Sequence, residues 1–186
     1  DPARAPRIVI MSSVLPRKIL AAAGLRFEIR AANIDERAVE AAAQPEDAVA
    51  AARLLASAKA ETISAGMQGR PVLGADQTLA RGAQRFTKPK DRADALNQLQ
   101  HLRGRTHELH SALALVVDGE VLFQCAETAR LTMRDVSDRF LEDYLDMVGE
   151  LDGGSGAEVG QHLRQQCLAP DKRRHGQVPA VEMKKI

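Results

Sequence analysis

The segment VLGADQTL, residues 72–79, constrains the fold most, because a short apolar run leads directly into the acid Asp76. Such a run predicts a buried β-strand that delivers a carboxylate at its C-terminal end and is followed by a turn. In α/β folds, ligand crevices open at the carboxyl ends of strands. Gly74 and Ala75 leave the backbone bare before the acid, so that a ligand or a metal can approach closely. The alternative is that Asp76 only caps the next turn.

A strand, a polar turn and a helix are predicted near the beginning of the chain. The compact apolar run at residues 8–11 indicates a buried strand, and Gly24 marks the end of the helix that follows. Ser13 and Arg17 lie between them, four residues apart. Hydroxyl groups, free N–H groups and cations at a helix N-terminus form an anion site, so both side chains can contact one phosphate. A capped helix with solvated basic residues explains the pattern equally well.

Acids and a long helix follow in the next part of the chain. Residues 33–37 are predicted to form a loop that ends in acids, among them Glu36, and such acids are more often solvated than catalytic. An Ala-rich helix is predicted from Pro45 to Gly66. Lys59 lies late in this helix, beside its apolar stripe. It is either a lysine that extends along apolar surface into water or a phosphate-binding cation that faces the crevice.

The second half of the chain alternates between a turn, two helices and an antiparallel hairpin. Residues 81–85 are predicted as a turn. Lys88 precedes a helix capped by Asp91, where a cation does not favour the helix dipole unless an anion compensates it. The pair Asp118-Gly119 is a strong hairpin signal. Alternation indicates strands on both sides of it, and a last helix is predicted to end at Gly149.

Composition excludes several classes of function. The net charge is +1, and the chain has one Tyr, four Phe and no Trp, which argues against a nucleic-acid partner. No apolar run has the length of a membrane span, so no membrane partner is expected. Cys125 and Cys167 have neither metal-ligand spacing nor the pattern of a disulfide scaffold, which makes a cytoplasmic location the expectation.

The domain boundary is predicted near the end of the last helix. The chain of 186 residues is long enough for one domain, which we place at residues 8–150. Beyond it, GGSG at residues 153–156 is a flexible run, and the following residues show little periodicity and several charged clusters. We therefore predict that residues 151–186 form a divergent, weakly structured tail.

The chemistry-bearing residues are two or three acids and several cations, all at predicted loop or strand ends. The sequence offers no activated serine, no Cys–His pair and no zinc pattern. Carboxylates hold Mg²⁺ or Mn²⁺ and orient water, whereas cations neutralise a polyphosphate and the charge that develops on it. Hydrolysis of a phosphoanhydride is the chemistry that fits this set.

These residues also occur in the order in which the motifs of one known family occur. They are Ser13 with Arg17-Lys18, Ile34-Asp35-Glu36, Lys59-Ala60-Glu61, Gly74-Ala75-Asp76-Gln77, Lys88-Pro89, Gly104-Arg105-Thr106-His107 and a hairpin led by Ser111. In this order and with these gaps, residues 8–149 resemble the Maf family of nucleoside triphosphate pyrophosphatases, once described as septum-formation inhibitors, and alphaproteobacterial members in particular. The resemblance implies an α/β fold, a mixed β-sheet wrapped by helices around a deep nucleotide-binding cleft.

The resemblance also implies a reaction and a site. The triphosphate would be cleaved between its α and β phosphates, which removes non-standard nucleotides, and the protein would form a homodimer. Asp76 and Glu36 would be catalytic and would hold Mg²⁺ or Mn²⁺. The substrate nucleoside triphosphate would be bound by Ser13, Arg17, Lys59, Gln77 and Lys88. Gln77 directly after Asp76 resembles the branch of the family that acts on 7-methyl-GTP.

Two departures from the family pattern leave other functions open. The usual Ser-x-Ser of the first loop is Met11-Ser12-Ser13 here, and the family's closing Gly-Ala-Tyr loop and acid-Gly-Asp turn are not visible after Gly149. The chain is therefore either an active pyrophosphatase, a nucleotide-binding protein of impaired activity, or an interaction factor in septum formation.

Overall fold

The computed structural model describes residues 8–11, 17 and 20–148 of the chain. Ser13 and the predicted tail at residues 151–186 lie outside these residues. The strands in this part are β1 (Ile8–Met11), β2 (Phe27–Arg30), β3 (Val72–Arg81), β4 (Gln84–Phe86), β5 (Thr106–Val117) and β6 (Glu120–Thr132). The helices are α1 (Glu36–Ala43), α2 (Ala48–Ser64), α3 (Arg92–Leu102) and α4 (Asp138–Val148).

The strands form one mixed sheet in the order β2-β1-β3-β5-β6, with β4 paired to β3. β1 is parallel to both β2 and β3, whereas β3 and β4 are antiparallel. β5 and β6 form a hairpin through Asp118 and Gly119, whose φ angles of 50° and 85° are those that an Asp-Gly turn requires. The predicted α/β class with a mixed sheet is therefore confirmed.

The described chain divides into two compact units. The first contains residues up to Gln77 together with His110–Glu127. Its core has two clusters of buried residues, which are Val9, Ala60, Ile63, Val72 and Val116 in one and Ala52, Ala56, Ala112 and Ala114 in the other. The second unit contains Thr78–Leu109 and the chain from Thr128 onward. Its core consists of Ala95, Leu99, Leu102, Met133, Leu141, Tyr144 and Leu145.

The prediction that a strand ends at Asp76 is wrong. β3 continues through Asp76 to Arg81. The alternation that buries Val72 and Gly74 returns at Thr78 and Ala80, which are 7% and 1% exposed. This period of two keeps the chain extended, because each second side chain enters the interior of the protein.

Three other predicted boundaries are corrected by local hydrogen bonds. The supposed loop at residues 33–37 contains the beginning of α1, because the Asp35 carboxylate accepts from the Ala38 N–H at 3.0 Å and caps the helix. Asp47, not Pro45, caps α2 by accepting from the Ala50 N–H at 2.7 Å. The turn predicted at residues 81–85 is shorter, because β4 already begins at Gln84.

The helix end predicted at Gly24 is confirmed. Residues 20–22 are helical, and Gly24 has a φ of 70°, in the left-handed region that favours glycine. The Leu25 N–H donates to the Leu20 carbonyl at 3.0 Å. None of the helices in the described chain is both long and apolar enough to span a bilayer.

Candidate active site

Three of the predicted site residues meet in the first unit. The Lys59 Nζ lies 2.6 Å from Asp76 Oδ1 and 2.7 Å from Glu36 Oε1. The Lys59 and Asp76 side chains are 9% and 11% exposed, whereas that of Glu36 is 51% exposed. One buried ammonium group therefore joins two carboxylates that are 40 residues apart in the chain, 76 minus 36, and the cluster is open to solvent on the Glu36 side.

The packing of α2 on β3 positions Lys59 opposite Asp76. Gly74 and Asp76 are two residues apart in β3, so they face the same side of the strand. A Cβ added to Gly74 would lie 2.8 Å from the Ala60 Cβ and would overlap the Ala56 carbonyl oxygen. Gly74 therefore serves the close approach of a helix, and our expectation that it leaves room for a ligand is wrong. The Lys59 side chain, next to Ala60, reaches Asp76 because of this contact.

The cap of α1 positions the second carboxylate. Because Asp35 caps the helix, Glu36 lies in its first turn, where a negative charge is favoured by the helix dipole. Glu40 follows one helical turn later on the same face of α1. The sequence analysis did not select Glu40, because residues 33–37 were predicted as a loop. The spacing of four between two acids was the signal that could have identified it.

Burial and charge act in opposite directions on Lys59. Burial by itself lowers the pKa of Lys59, but the Asp76 charge and the hydrogen bonds to Asp76 and Glu36 outweigh it and raise this pKa above its usual value. Lys59 is consequently a cation at neutral pH. Its position between two carboxylates agrees with neither of the alternatives offered for it, because it neither extends into water nor is free to bind phosphate in this state.

Burial raises the pKa of the Asp76 carboxyl group above its usual value. The Lys59 charge and hydrogen bond oppose this change, whereas the negative charges of Glu36 and Glu40 add to it. A carboxylate whose proton affinity is raised in this way takes up a proton more readily than a solvated aspartate. This property suits a general base.

Gln77 lies on the opposite face of β3 from Asp76, because adjacent strand residues point to opposite sides. Its amide Nε2 donates to the Ser111 Oγ of β5 at 2.6 Å. The Gln77 Oε1 is buried and has no hydrogen-bond partner among the described residues. Ser111 thus orients the Gln77 amide, a role that the sequence did not indicate. Contact of Gln77 with a substrate stays a prediction.

The remaining predicted site residues are not part of this cluster as described. Arg17 is helical and partly buried. Lys88 is exposed and belongs to the second unit, in the segment between β4 and α3. Ser13 lies outside the described residues. The phosphate-binding roles given to these three residues stay predictions.

The two carboxylates fit a hard divalent cation. Within the described residues, no group of three or more His, Cys, Asp or Glu side chains is arranged to hold a metal ion. Asp76 and Glu36 nevertheless direct one oxygen each at a common cation, the Lys59 ammonium. Mg²⁺ in phosphate-handling sites is held by one or two carboxylates together with substrate phosphates, so two such oxygens are a sufficient protein contribution.

Comparison with known sequences identifies the family. The family model described as Maf-like protein matches residues 8–169. The chain belongs to the Maf-like family. The resemblance found in the sequence is thereby confirmed. The match extends 19 residues beyond residue 150, from 151 to 169, and the predicted domain boundary at residue 150 stays a prediction.

Curated relatives of this Maf-like chain are nucleotide pyrophosphatases by name. A nucleoside triphosphate pyrophosphatase of Rhodopseudomonas palustris is 46% identical over 78% of this chain and 72% of its own length. A 7-methyl-GTP pyrophosphatase of Rhizobium etli is 47% identical over 78% of this chain and 74% of its own length. Among solved structures, a dITP/XTP pyrophosphatase of Mycobacterium abscessus covers 69% of this chain and 75% of its own, at 18% identity and a TM-score of 0.38, too low to support a conclusion.

Proposed function

We propose that this Maf-like protein is a nucleoside triphosphate pyrophosphatase, an enzyme that hydrolyses a phosphoanhydride and releases the monophosphate and pyrophosphate. The observation that carries the proposal is the joining of Asp76, Lys59 and Glu36 in one partly buried cluster. Two carboxylates and a cation are what positioning of water and neutralisation of a polyphosphate require. The names of relatives at 46% and 43% identity support the same activity.

In the proposed reaction, Asp76 orients the attacking water and accepts its proton, which its raised pKa favours. Asp76 and Glu36 would hold a divalent cation, Mg²⁺ or Mn²⁺, which supplies neutralisation of phosphate charge when it is bound. Lys59 carries a positive charge beside these carboxylates and would bind the triphosphate with Ser13, Arg17 and Lys88. The bond to the α phosphate breaks on attack by water, and pyrophosphate leaves with its electron pair.

The proposed substrate class is non-standard or excess nucleoside triphosphates, with a slight preference for 7-methyl-GTP. Support comes from Gln77, which follows Asp76 as in the 7-methyl-GTP branch of the family, and from relatives named 7-methyl-GTP pyrophosphatase at 47% identity. The Gln77 amide, held by Ser111, offers one buried acceptor oxygen that a base could reach. Removal of such nucleotides before they enter nucleic acids is the proposed biological role.

We also propose the setting in which the protein works. A cytoplasmic location is supported by two cysteines without the spacing of a disulfide scaffold. A homodimer is proposed by analogy with the family alone. The net charge of +1 supports a protein without nucleic-acid or membrane partners.

Pyrophosphate release from a panel of nucleoside triphosphates, including 7-methyl-GTP, with Mg²⁺ or Mn²⁺ tests the proposal. Asp76→Asn should lower the rate by about 10²–10⁴-fold, the usual contribution of a general base. Asp143→Asn is the matched control, because Asp143 is 70% exposed in α4 of the second unit. Its rate should equal that of the unchanged protein. Full activity of Asp76→Asn would show that Asp76 does not have this role.

A second candidate is a nucleotide-binding protein of impaired activity that acts as an interaction factor in cell division. Met11 at the first position of the Ser-x-Ser pattern favours it, because one phosphate-binding hydroxyl is missing. The two candidates differ in the outcome of the same assay. A folded protein that releases no pyrophosphate, but whose thermal midpoint rises with added nucleotide, would support the second candidate.

A further inference from the structure

The Lys59 ammonium fills the space that a bridging cation needs. Its Nζ lies 2.6 Å from Asp76 Oδ1 and 2.7 Å from Glu36 Oε1. Mg²⁺ binds oxygen at about 2.0–2.1 Å, so an ion that bridges these two oxygens would lie where Nζ now lies. The two cations would also repel each other at this distance. These oxygens can therefore bridge Lys59 or a divalent cation, but not both.

Lys59 can leave this position only by rotation of its side chain. Its helix cannot move away, because Ala56 and Ala60 are fully buried and pack directly on Gly74 of β3. A lysine side chain has a flexible four-carbon stem, so the ammonium can travel while the Cα stays in place. A new anionic partner, such as a triphosphate, is what would draw it away.

The charge balance of the cluster couples the two movements. Asp76, Glu36 and nearby Glu40 are three acids around one ammonium, and the field of both glutamates reaches Asp76. Removal of Lys59 alone would leave the carboxylates uncompensated in a partly buried place, which is costly. A divalent cation that arrives as Lys59 departs avoids this cost.

We infer that Lys59 is an internal counter-ion that competes with the divalent cation for Asp76 and Glu36. The cation consequently binds weakly to the nucleotide-free protein and strongly only when a triphosphate draws Lys59 away. The inference rests on the proposed function for the identity of the cation site, but it concerns binding and not turnover.

Direct binding of Mn²⁺ to the nucleotide-free, full-length chain tests the inference, with electron paramagnetic resonance or calorimetry as the readout. Lys59→Gln should bind Mn²⁺ at least about tenfold more tightly than the unchanged protein, because a repelling charge is lost. Lys59→Arg retains the charge and should remain weak. Lys90→Gln is the control, because Lys90 is an exposed lysine of the second unit. It should bind Mn²⁺ like the unchanged protein.

Each other outcome decides against or for the inference. Equal affinity of Lys59→Gln and the unchanged protein would overturn it, since the cation would then use other oxygens. A dissociation constant of about 10 μM or less for the unchanged protein would also overturn it. Lys59→Met replaces Lys59→Gln if the latter does not fold. Neutral variants that fold only with added Mn²⁺ support the inference, and neutral variants that do not fold even then count against it.

Failure of the inference and failure of the proposed function give different results. A protein that releases pyrophosphate but whose Mn²⁺ affinity is unchanged by Lys59→Gln retains the function and loses the inference. A protein whose Lys59→Gln variant gains Mn²⁺ affinity, but which hydrolyses no triphosphate, retains the inference and loses the function.

Discussion

Asp76 combines burial with three charged neighbours, and these act on its proton in different directions. Burial raises the pKa of Asp76, the charge of Lys59 lowers it, and the charges of Glu36 and Glu40 raise it again. The net direction is upward, so Asp76 keeps its proton to a higher pH than a solvated aspartate does. Because only the ionised carboxylate can accept a proton from water, the proposed activity should fall on the acid side above the usual range of an aspartate.

Glu40→Gln should move the acid side of the pH–rate profile to lower pH. The variant removes one negative charge that raises the pKa of Asp76, so Asp76 ionises more easily. The measurement is kcat/KM from pyrophosphate release as a function of pH. Glu46→Gln, with the same loss of charge in the same unit, should leave the profile unchanged. An acid side that stays in place in Glu40→Gln would show that Asp76 is not the group that titrates.

The residues of the site could be selected from the sequence, but their partners could not. Asp76 and Glu36 were identified by family motifs that persist whatever the packing. The contact of Lys59 with both depends on how closely α2 approaches β3, and no pattern along the chain contains that distance. Glu40 was missed for a local reason, since acids that cap and begin a short helix also occur in loops.

At the scale of elements, small residues decide how α2 and β3 meet. Ala56 and Ala60 on the helix are fully buried against Gly74, where any side chain would overlap backbone atoms of the helix. This close approach also sets the position of Lys59 relative to Asp76. Stability and site geometry are therefore linked at one glycine.

Gly74→Ala should destabilise the protein by about 1–3 kcal/mol or more, the usual cost of overpacking, because neither the helix backbone nor the strand can give way easily. It should also lower pyrophosphate release, because a displaced α2 carries Lys59 away from Asp76. Urea unfolding and the activity assay check both effects.

The matched control for this change is Gly66→Ala, whose added Cβ would meet only the Ile63 carbonyl oxygen, at 3.9 Å. Its free energy of unfolding should stay within about 0.5 kcal/mol of that of the unchanged protein. Equal stability of the two variants would mean that α2 can shift without cost. The contact at Gly74 would then not hold the site in place.

The sequence predicted elements best where apolar periodicity and turn chemistry agree. The hairpin at Asp118-Gly119 and the helix end at Gly24 are examples, because each needs a left-handed backbone that few residues adopt. β3 was predicted too short, since the polar residues Asp76 and Gln77 interrupt its apolar pattern although alternation continues beyond them. Their burial depends on partners in α2 and β5, which the local sequence does not reveal.

At the scale of the whole molecule, the chain passes between its two units within β3, β5 and β6, at residues 77–78, 109–110 and 127–128. The proposed cluster of Glu36, Lys59 and Asp76 lies wholly in the first unit, whereas Lys88 lies in the second. Phosphate binding by Lys88 would therefore require residues of both units. Activity is for this reason expected to depend on the complete family region, and not on the cluster alone.

The extent of that region can be tested with two shortened chains, one that ends at residue 169 and one that ends at residue 150. The match to the Maf-like family continues to residue 169, which indicates that residues 151–169 are constrained by the fold or the site. The chain of 169 residues should therefore keep its pyrophosphate release and its thermal midpoint. The chain of 150 residues should lose both. Full activity of the shorter chain would place the domain boundary at residue 150, with a dispensable tail beyond it.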